Sequence, residues 1–404
     1  MRSIKLLLAA LGATAWSGAL AAPALSERDL AAIAALEQRV APLPGPGPMG
    51  PPAPLAQRMA DARVPAVSVA MIEEGRVKWA RAYGEAVAGS ARVATLQTRF
   101  QAGSLSKPVA AAGALRMVDQ RRLALDGDVA AQLRGWRVPA AATGAAAEKV
   151  TLRRLLSHTA GLSVASYPGY PRNGAVPTLL QSLGGLPPAA TPAVRAFAAP
   201  GAQLGYSGGG YSVAQLLMSE RAGLPFARLM DRLVLRPLGM RRSTFEQGGS
   251  GRAWRDSAAG HDRDGRPVPG GSRIYPELAA AGLWTTPSDY GRFVIALQDS
   301  WAGRRGALLE ANTARAMMTS VLGDYGLGVT VAERRGRRAI SHGGANEGFE
   351  CRFVAFLDGA REGLVVMTNG DNGGALAAAI QRTIGQAYRW PDTQGPRLPY
   401  APDE

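Results

Sequence analysis

The sequence predicts an α+β fold in which strands from both ends of the chain form a sheet and a mostly helical region is inserted between them. Two alternating apolar runs at residues 66–84, separated by a turn at Glu73–Gly75, predict a β-hairpin. Strand-like runs return at residues 325–370. Between them, residues from about 130 to 310 show helix and loop patterns punctuated by Gly and Pro. Strands at both ends with helices between them indicate a sheet built from residues of about 60–100 and 323–370.

The first 21 residues predict a signal peptide. MRSIK is a short basic region, and the apolar run LLLAALGATAW that follows is too short to span a bilayer. Ala19-Leu20-Ala21 is a small-x-small cleavage site. We therefore expect a periplasmic or secreted protein, with a buried N-terminal helix as the alternative reading of this segment. No later apolar run predicts a membrane span.

Residues 22–55 predict a helix and a linker ahead of the main domain. Ser26 is a suitable N-cap for the helix SERDLAAIAALEQRV. The Pro/Gly-rich run at residues 41–54 cannot form a helix or a central strand and predicts a semi-rigid linker. The folded domain is expected to extend over residues 56–390, ending in the helix ALAAAIQRTIGQAY, and residues 391–404 form a tail.

Composition excludes several classes of protein. The net charge of +15 raises the possibility of nucleic-acid binding, but the arginines are scattered, and no basic helix or RNA-binding signature is present. The single cysteine, Cys351, excludes an intramolecular disulfide and lies in a strand-like run, which predicts a buried side chain. Three scattered histidines without clustered cysteines argue against zinc. Of these, His158 is expected to be structural, and His261 to lie in an ordinary surface loop.

The segment FQAGSLSKPVAAAGAL, residues 100–115, carries the strongest chemical signal. Pro108 is tolerated only in the first turn of a helix, so Ser104 is expected at or just before the helix N-terminus. Lys107 is three residues further on and shares a face with Ser104, whereas Ser106 should point elsewhere. A desolvated lysine is able to act as the base that activates a serine, which an arginine cannot do. A solvated Lys beside a Ser N-cap is the alternative interpretation.

Further segments make the chain resemble serine hydrolases of the class C β-lactamase and penicillin-binding type. That group includes D-alanyl-D-alanine carboxypeptidases, D-aminopeptidases and β-lactamase-like esterases. FQAGSLSKPV resembles the active-site segment of the group, and the likeness extends from about residue 60 to 388. The supporting segments are RLALDGDV, VTLRRLLSHTAGL, LRPLGMRRSTF, AAAGLWTTPSDYGRF and YGLGV. The resemblance implies a β-lactamase/transpeptidase-like fold, with an antiparallel sheet flanked by helices.

The resemblance also implies two further elements of a catalytic site. The Tyr-x-Asn motif of the group corresponds to Tyr206-Ser207-Gly208, which makes Tyr206 the expected partner acid or base, with Tyr211 as the competing tyrosine. Gly208 stands where the group has an asparagine, and the missing amide should open space and favour esters or bulkier acyl groups.

The third element of the group is Lys-Thr-Gly or His-x-Gly, and here it corresponds to His342-Gly343-Gly344. His342 is expected to bind a substrate carboxylate or to tune the Ser–Lys pair. Gly344 is expected to let the substrate approach the strand. The backbone N–H of Ala345, together with that of Ser104, is expected to form the oxyanion hole.

These expectations describe an exported serine hydrolase that forms an acyl-enzyme on Ser104 and needs no cofactor or metal. The expected substrates are small esters, D-amino-acid peptides or β-lactams, with an esterase or peptidase favoured over a true β-lactamase. A non-catalytic peptidoglycan- or peptide-binding protein on the same fold is the alternative. The sequence leaves the oligomeric state open, and also which of Lys107 and Tyr206 is the base in each step.

Overall fold

A seven-stranded antiparallel sheet runs through the centre of the computed structural model, which describes residues 24–44, 50–138, 149–249 and 252–391. The order of its strands is β3-β2-β1-β11-β10-β9-β8. Their bounds are β1 (Ala66–Glu73), β2 (Arg76–Val87), β3 (Arg92–Val93), β8 (Thr330–Arg334), β9 (Arg337–Asn346), β10 (Phe349–Phe356) and β11 (Gly363–Thr368). Two small two-stranded sheets pair β4 (Phe100–Gln101) with β7 (Trp284–Thr285) and β5 (Tyr170–Pro171) with β6 (Arg273–Ile274).

The two ends of the chain meet at the pair β1–β11, where Val69 lies opposite Val366. Every residue of β1 is buried, because helices cover both faces of the sheet. Val67, Val69 and Met71 contribute to one apolar core, while Ala66 and Ile72 contribute to the other. The predicted α+β fold, with strands from both ends and helices between them, is confirmed.

Helices form a layer on each face of the sheet. The first layer contains α1 (Glu27–Gln38), α2 (Leu55–Asp61) and α12 (Gly373–Ala387). The second face is covered by α10 (Pro287–Trp301) and by the larger helical region that includes α3 (Ser106–Asp119). The remaining α-helices are α4 (Leu152–Leu156), α5 (Leu179–Gly184), α6 (Gly208–Ala222), α7 (Phe226–Met230), α8 (Arg252–Arg255), α9 (Leu278–Ala281) and α11 (Ala311–Met317).

Helix α1 packs into the folded body, although it lies ahead of residue 56, where the sequence led us to place the start of the domain. Ser26 caps α1 in a capping box with Asp29, as its sequence predicts. Ile33 and Leu36 of α1 are buried in the same core as α12. Burial of each such side chain stabilises the fold by about 2 kcal/mol. A domain starting at residue 56 would lose this layer.

The Pro/Gly-rich segment does not separate α1 from the rest of the chain. Val40 and Ala53 exchange two backbone hydrogen bonds of 2.8 and 3.0 Å, so the two ends of the segment lie side by side. The backbone N–H of Ala41 also donates to Thr383 Oγ1 of α12, at 2.8 Å. The predicted signal peptide at residues 1–21 and all but the first residue of the predicted tail at 391–404 lie outside the described residues.

No helix in the described ranges combines the length and the apolar character that a membrane span requires.

Candidate active site

Ser104 lies in a 3₁₀ turn, Gly103–Leu105, that leads directly into α3. Its side chain is partly exposed, which leaves the hydroxyl within reach of a small molecule. Ser106 points the other way: its hydroxyl donates to the carbonyl of Gly103 at 2.6 Å and accepts from Leu283 N at 2.9 Å. Ser106 therefore stabilises the turn, and Ser104 is the serine that faces the site.

The Lys107 amine contacts Ser104 as the i, i+3 spacing predicts. Lys107 Nζ lies 2.8 Å from Ser104 Oγ and 3.0 Å from the carbonyl oxygen of Ala280. The residue is 2% exposed, and burial lowers the pKa of its amine to about 7. In the described parts of the chain, no carboxylate forms an ion pair with Lys107. A substantial fraction of this amine is thus unprotonated at neutral pH and able to accept a proton from Ser104.

Tyr206 is the tyrosine placed beside this pair. Its ring centroid lies 4.9 Å from Lys107 Nζ, and the residue is partly exposed. The ring of Tyr211 is further from the amine, at 5.7 Å, and is fully buried. The Tyr211 hydroxyl donates to the carbonyl of Leu156 at 2.8 Å, and burial raises its pKa well above the usual value. Tyr211 is therefore a structural residue, and Tyr206 remains the candidate for proton transfer.

Two glycines bring strand β9 against the nucleophile turn. A methyl group at Gly103 would lie 2.6 Å from the backbone N of Ala345, and φ at Gly103 is +50°. A methyl group at Gly344 would lie 2.1 Å from the carbonyl oxygen of Ala102 and 3.0 Å from Ser104 N. Gly344 therefore makes room for the turn that carries Ser104, rather than for a substrate as the sequence led us to expect. The exposed Ala345 is thereby placed next to this turn.

His342 lies on β9 but does not present a cation to the pocket. It is 1% exposed, and burial followed by the nearby charge of Lys107 lowers its pKa to about 3. Both ring nitrogens are used within the protein: Nε2 lies 2.8 Å from the Tyr325 hydroxyl, and Nδ1 contacts the carbonyl of Gly343. A neutral imidazole with both nitrogens occupied does not bind a carboxylate, so the geometry does not support that expected role.

The other two histidines are both buried. His158 packs against Tyr206 in a tilted arrangement with ring centroids 4.2 Å apart, which places a residue expected to be only structural in contact with the site. His261 is fully buried, so the expectation of a surface loop is wrong. Its Nδ1 lies 2.7 Å from the carbonyl of Asn369, and its Nε2 accepts from Ala88 N at 3.1 Å. His261 thus holds loops together rather than serving the reaction.

Gly208 begins α6, but the space beside it is filled. A methyl group at Gly208 would lie 3.0 Å from the carbonyl oxygen of Ala165 and 3.1 Å from the ring of Tyr167. The Tyr167 hydroxyl lies 2.9 Å from Ser212 Oγ, which fixes the ring in this position. The expectation that Gly208 opens the pocket is therefore wrong, because the aromatic ring of Tyr167 occupies the region next to it.

An exposed apolar cluster borders Tyr206, and we call Phe197, Leu204 and Leu322 the apolar rim. Their exposed fractions are 49%, 38% and 38%. A methyl group at Gly205, the residue before Tyr206, would lie 2.5 Å from Phe197 Cζ. A methyl group at Gly323 would lie 3.7 Å from Leu204 Cδ2, so these residues lie close together. Clustered exposed apolar side chains beside a reactive centre indicate an apolar ligand.

Over the part of the chain that the structure covers, no group of three or more His, Cys, Asp or Glu side chains is arranged to hold a metal ion. Cys351 is buried with its thiol 3.3 Å from the carbonyl of Gln101, and burial raises its pKa. It is therefore not a thiolate nucleophile at neutral pH.

Sequence reasoning missed three residues of this site, namely Tyr167, Tyr325 and Phe197. Tyr325 is the first residue of the segment YGLGV, one of the segments that resemble the family, and this position was the sequence signal that could have identified it. Tyr167 and Phe197 lie in loops with no periodic pattern, so their proximity to Gly208 and Tyr206 depends on the tertiary fold.

Comparison with known proteins gives a consistent picture. The model of the Beta-lactamase family matches residues 54–389. Protein Rv1367c of Mycobacterium tuberculosis is 29% identical over 249 residues, which cover 56% of this chain and 60% of that protein. Esterase EstB of Burkholderia gladioli is 31% identical over 207 residues, which cover 47% of this chain and 49% of the esterase. The chain thus spans less than two thirds of these curated relatives.

Among solved structures, EstCE1, described as a hydrolase with promiscuous acyltransferase activity, has a similar fold. The TM-score is 0.65 at 23% identity, over 82% of this chain and 95% of EstCE1. At this level of identity the likeness concerns the fold alone.

Proposed function

The chain belongs to the β-lactamase family of serine hydrolases, and on that premise we propose that it is an exported esterase that forms an acyl-enzyme on Ser104. The observation that carries this proposal is the contact of 2.8 Å between Ser104 Oγ and the buried amine of Lys107. Among the described residues, no carboxylate forms an ion pair with this amine. A serine without such a base is a poor nucleophile, and a lysine with a carboxylate partner is a poor base.

In the proposed acylation step, Ser104 Oγ attacks the ester carbonyl while its proton passes to Lys107 Nζ. The C–O bond to the alcohol then breaks, and the alcohol leaves with a proton delivered through Tyr206, the group whose ring lies 4.9 Å from the amine. Water attacks the acyl-enzyme with the same groups acting in reverse and releases the acid.

The developing oxyanion is assigned to the backbone N–H groups of Ser104 and Ala345. Gly103 and Gly344 hold these two segments at distances that leave no room for a β-carbon, so the geometry is set by backbone packing. Donors fixed in this way need no reorganisation during the reaction, and the loss of one such donor typically lowers kcat by about 10²-fold or more.

Two observations favour a neutral apolar ester over a peptide that ends in a carboxylate. His342 is neutral and has both nitrogens occupied, so it supplies no positive charge for a carboxylate. The apolar rim borders Tyr206, which contacts the leaving group in the proposed mechanism. An apolar alcohol group is the chemistry that fits this surface.

A side-by-side rate assay tests the proposal. The purified chain and its Ser104→Ala variant are offered p-nitrophenyl butyrate, nitrocefin and a D-alanyl p-nitroanilide. We expect ester turnover that requires Ser104, with slower hydrolysis of the other two substrates. Faster turnover of nitrocefin or the anilide would contradict the esterase assignment while retaining Ser104 as the nucleophile.

A non-catalytic binding protein is the competing function, and covalent labelling distinguishes it. A fluorophosphonate should label the wild-type chain and not the folded Ser104→Ala variant, because only an activated serine reacts. A folded wild-type chain that stays unlabelled and turns over none of the three substrates would favour the binding protein.

Export is proposed from the sequence of residues 1–21. The first apolar side chain packed in the described body is Leu25, so cleavage after Ala21 would leave the packed layer of α1 whole. The test is the N-terminal sequence of the protein recovered from the cell envelope and medium. A chain that retains Met1 and stays in the cytoplasm would contradict export.

A further inference from the structure

Three buried rings form a continuous hydrogen-bond chain behind Tyr206. The hydroxyl of Tyr325 lies 3.2 Å from His158 Nε2 and 2.8 Å from His342 Nε2. All three residues lie in the interior, where an unpaired polar atom costs about 1–3 kcal/mol.

Backbone groups at the two ends determine the direction of every bond in this chain. At one end Ser207 N–H donates to His158 Nδ1 at 3.0 Å, so the proton of neutral His158 must be on Nε2. At the other end the carbonyl of Gly343 requires a proton on His342 Nδ1. His158 Nε2–H therefore donates to the Tyr325 oxygen, and the Tyr325 hydroxyl donates to His342 Nε2.

The first ring also clamps the segment that carries Tyr206. The backbone carbonyl of His158 accepts from Gly205 N at 2.8 Å, and its ring accepts from Ser207 N. The residues before and after Tyr206 are thus both bound to His158, whose ring packs against that of Tyr206. His158 has φ of +59°, a left-handed conformation that is uncommon for a side-chain-bearing residue and is found at functional positions.

The last ring belongs to β9, three residues before Ala345. This hydrogen-bond chain therefore connects the loop that carries Tyr206 to strand β9, whose Ala345 N–H is assigned to the oxyanion.

We propose that His158, Tyr325 and His342 are positioning residues, which hold Tyr206 and the Ala345 strand in register through one directed hydrogen-bond chain. This inference rests on the proposed function for its kinetic consequence, but the direction of the bonds is independent of it. Lys107 is the charged group that faces both imidazoles, and Tyr206, Tyr211, Tyr290 and Asp324 are the titratable groups around Tyr325.

The protonation states are directly measurable, because the chain contains only three histidines. In a protein labelled with ¹⁵N in its imidazoles, we expect three neutral rings at pH 6. His158 should carry its proton on Nε2, while His342 and His261 should carry theirs on Nδ1, the latter because His261 Nδ1 faces the carbonyl of Asn369. A cationic His158 or His342 at pH 6, or a proton on His158 Nδ1 or His342 Nε2, would overturn the directed hydrogen-bond chain, whereas His261 lies outside it and serves as the reference ring.

Kinetics of Tyr325→Phe test the positioning role. The variant keeps the ring and removes the one hydroxyl that joins the two imidazoles. We expect kcat for p-nitrophenyl butyrate to fall about 10- to 100-fold with KM changed less than about twofold, because misplacement by an ångström affects the reaction more than binding.

Tyr388→Phe is the matched control, since its buried hydroxyl also joins two partners, Asp29 and Trp79, on the other face of the sheet. It should lower the unfolding temperature and leave kcat unchanged. If Tyr325→Phe behaves like this control, the chain is only structural and the proposal is wrong. If the wild type shows no turnover that depends on Ser104, the proposed function fails instead. The tautomer measurement then still tests the direction of the hydrogen bonds between His158, Tyr325 and His342.

Discussion

Two lysines on opposite faces of the sheet, the partly buried Lys78 and the buried Lys107, differ most in the presence of carboxylates. Lys78 on β2 is 10% exposed, and its amine lies 3.4 Å from Glu73 Oε2 and 3.6 Å from Asp29 Oδ2. Lys107 is more deeply buried, and its amine lies within hydrogen-bond distance of the Ser104 hydroxyl and the Ala280 carbonyl, with no carboxylate paired to it among the residues that the structure describes.

The electrostatic consequences differ accordingly. Burial alone lowers the pKa of Lys107 to about 7. Beside Lys78, burial acts to raise the pKa of Asp29, but hydrogen bonds from Tyr388 and Ser26, together with the charge of Lys78, hold that pKa below the usual value. A partly buried amine with counter-ions fixes helix α1 to the sheet, whereas an amine buried without them becomes a base.

The largest effect should come from exchanging each lysine for methionine. Lys107→Met should lower kcat/KM for an ester by about 10³-fold, since the general base is removed. Lys78→Met should leave the kcat of the folded protein within about twofold, because its amine lies outside the site. Titration of active sites with a fluorophosphonate corrects for any unfolded fraction of Lys78→Met. Equal losses of kcat/KM in the two variants would contradict the role of the Lys107 amine as the general base.

The stabilities should change in the opposite order. Lys78→Met leaves the buried Asp29 without its cation, while Glu73 keeps its ion pair with Arg28, and we expect the free energy of unfolding to fall by about 3 kcal/mol. Lys107→Met should be at least as stable as the wild type at pH 7, because folding no longer transfers a hydrated ammonium group into the interior. Urea denaturation of both variants and the wild type measures this contrast. A strongly destabilised Lys107→Met would indicate that the amine is structural.

The pH dependence of the reaction should report the unpaired amine. Below pH about 7 the Lys107 amine is protonated and no longer accepts the Ser104 proton, so kcat/KM should fall about tenfold per pH unit, with a plateau above pH 7. His158 and His342, whose pKa values burial lowers, should add no ionisation between pH 5 and 8. The profile of p-nitrophenyl butyrate hydrolysis from pH 5 to 9 measures this. A plateau that begins only near pH 10 would contradict an unpaired, desolvated lysine.

The smallest effect is expected from placing an amide side chain at position 208. Gly208→Asn restores the residue of the related enzymes, but its β-carbon would meet Ala165 and the Tyr167 ring at 3.0–3.1 Å. We therefore expect nitrocefin hydrolysis to change less than about threefold in the single variant, with a modest loss of stability. The double variant with Tyr167→Ala, which removes the ring, is the matched comparison. A large gain in the single variant would mean that Tyr167 moves readily.

Local sequence signals were sufficient for the parts of the site that lie within one turn of the chain. Pro108 marks the start of α3, and the spacing of Ser104 and Lys107 brings hydroxyl and amine to 2.8 Å. The hairpin of β1 and β2 was predicted from alternation and from Gly75, because a turn with positive φ requires little beyond its own residues.

Contacts between distant segments were not predictable in the same way. The spacing around Gly208 indicated a missing amide, but the ring of Tyr167 that fills the space comes from a different loop. The Pro/Gly-rich run indicated a linker, whereas α1 is packed into the core through Ile33 and Leu36. In each case local composition did not decide the outcome, which depended on the distant residue that packs against the segment.

The sequence by itself determined the fold class and the reactive pair, because both follow from periodicity and from spacing within a few residues. Only the tertiary structure decided the protonation states of the side chains in the site. Whether Lys107 is a base depends on the absence of a nearby carboxylate, and whether His342 is a cation depends on Tyr325 and the carbonyl of Gly343. Desolvation and hydrogen-bond direction are properties of the surroundings of a side chain, and those surroundings are assembled from segments far apart in the sequence.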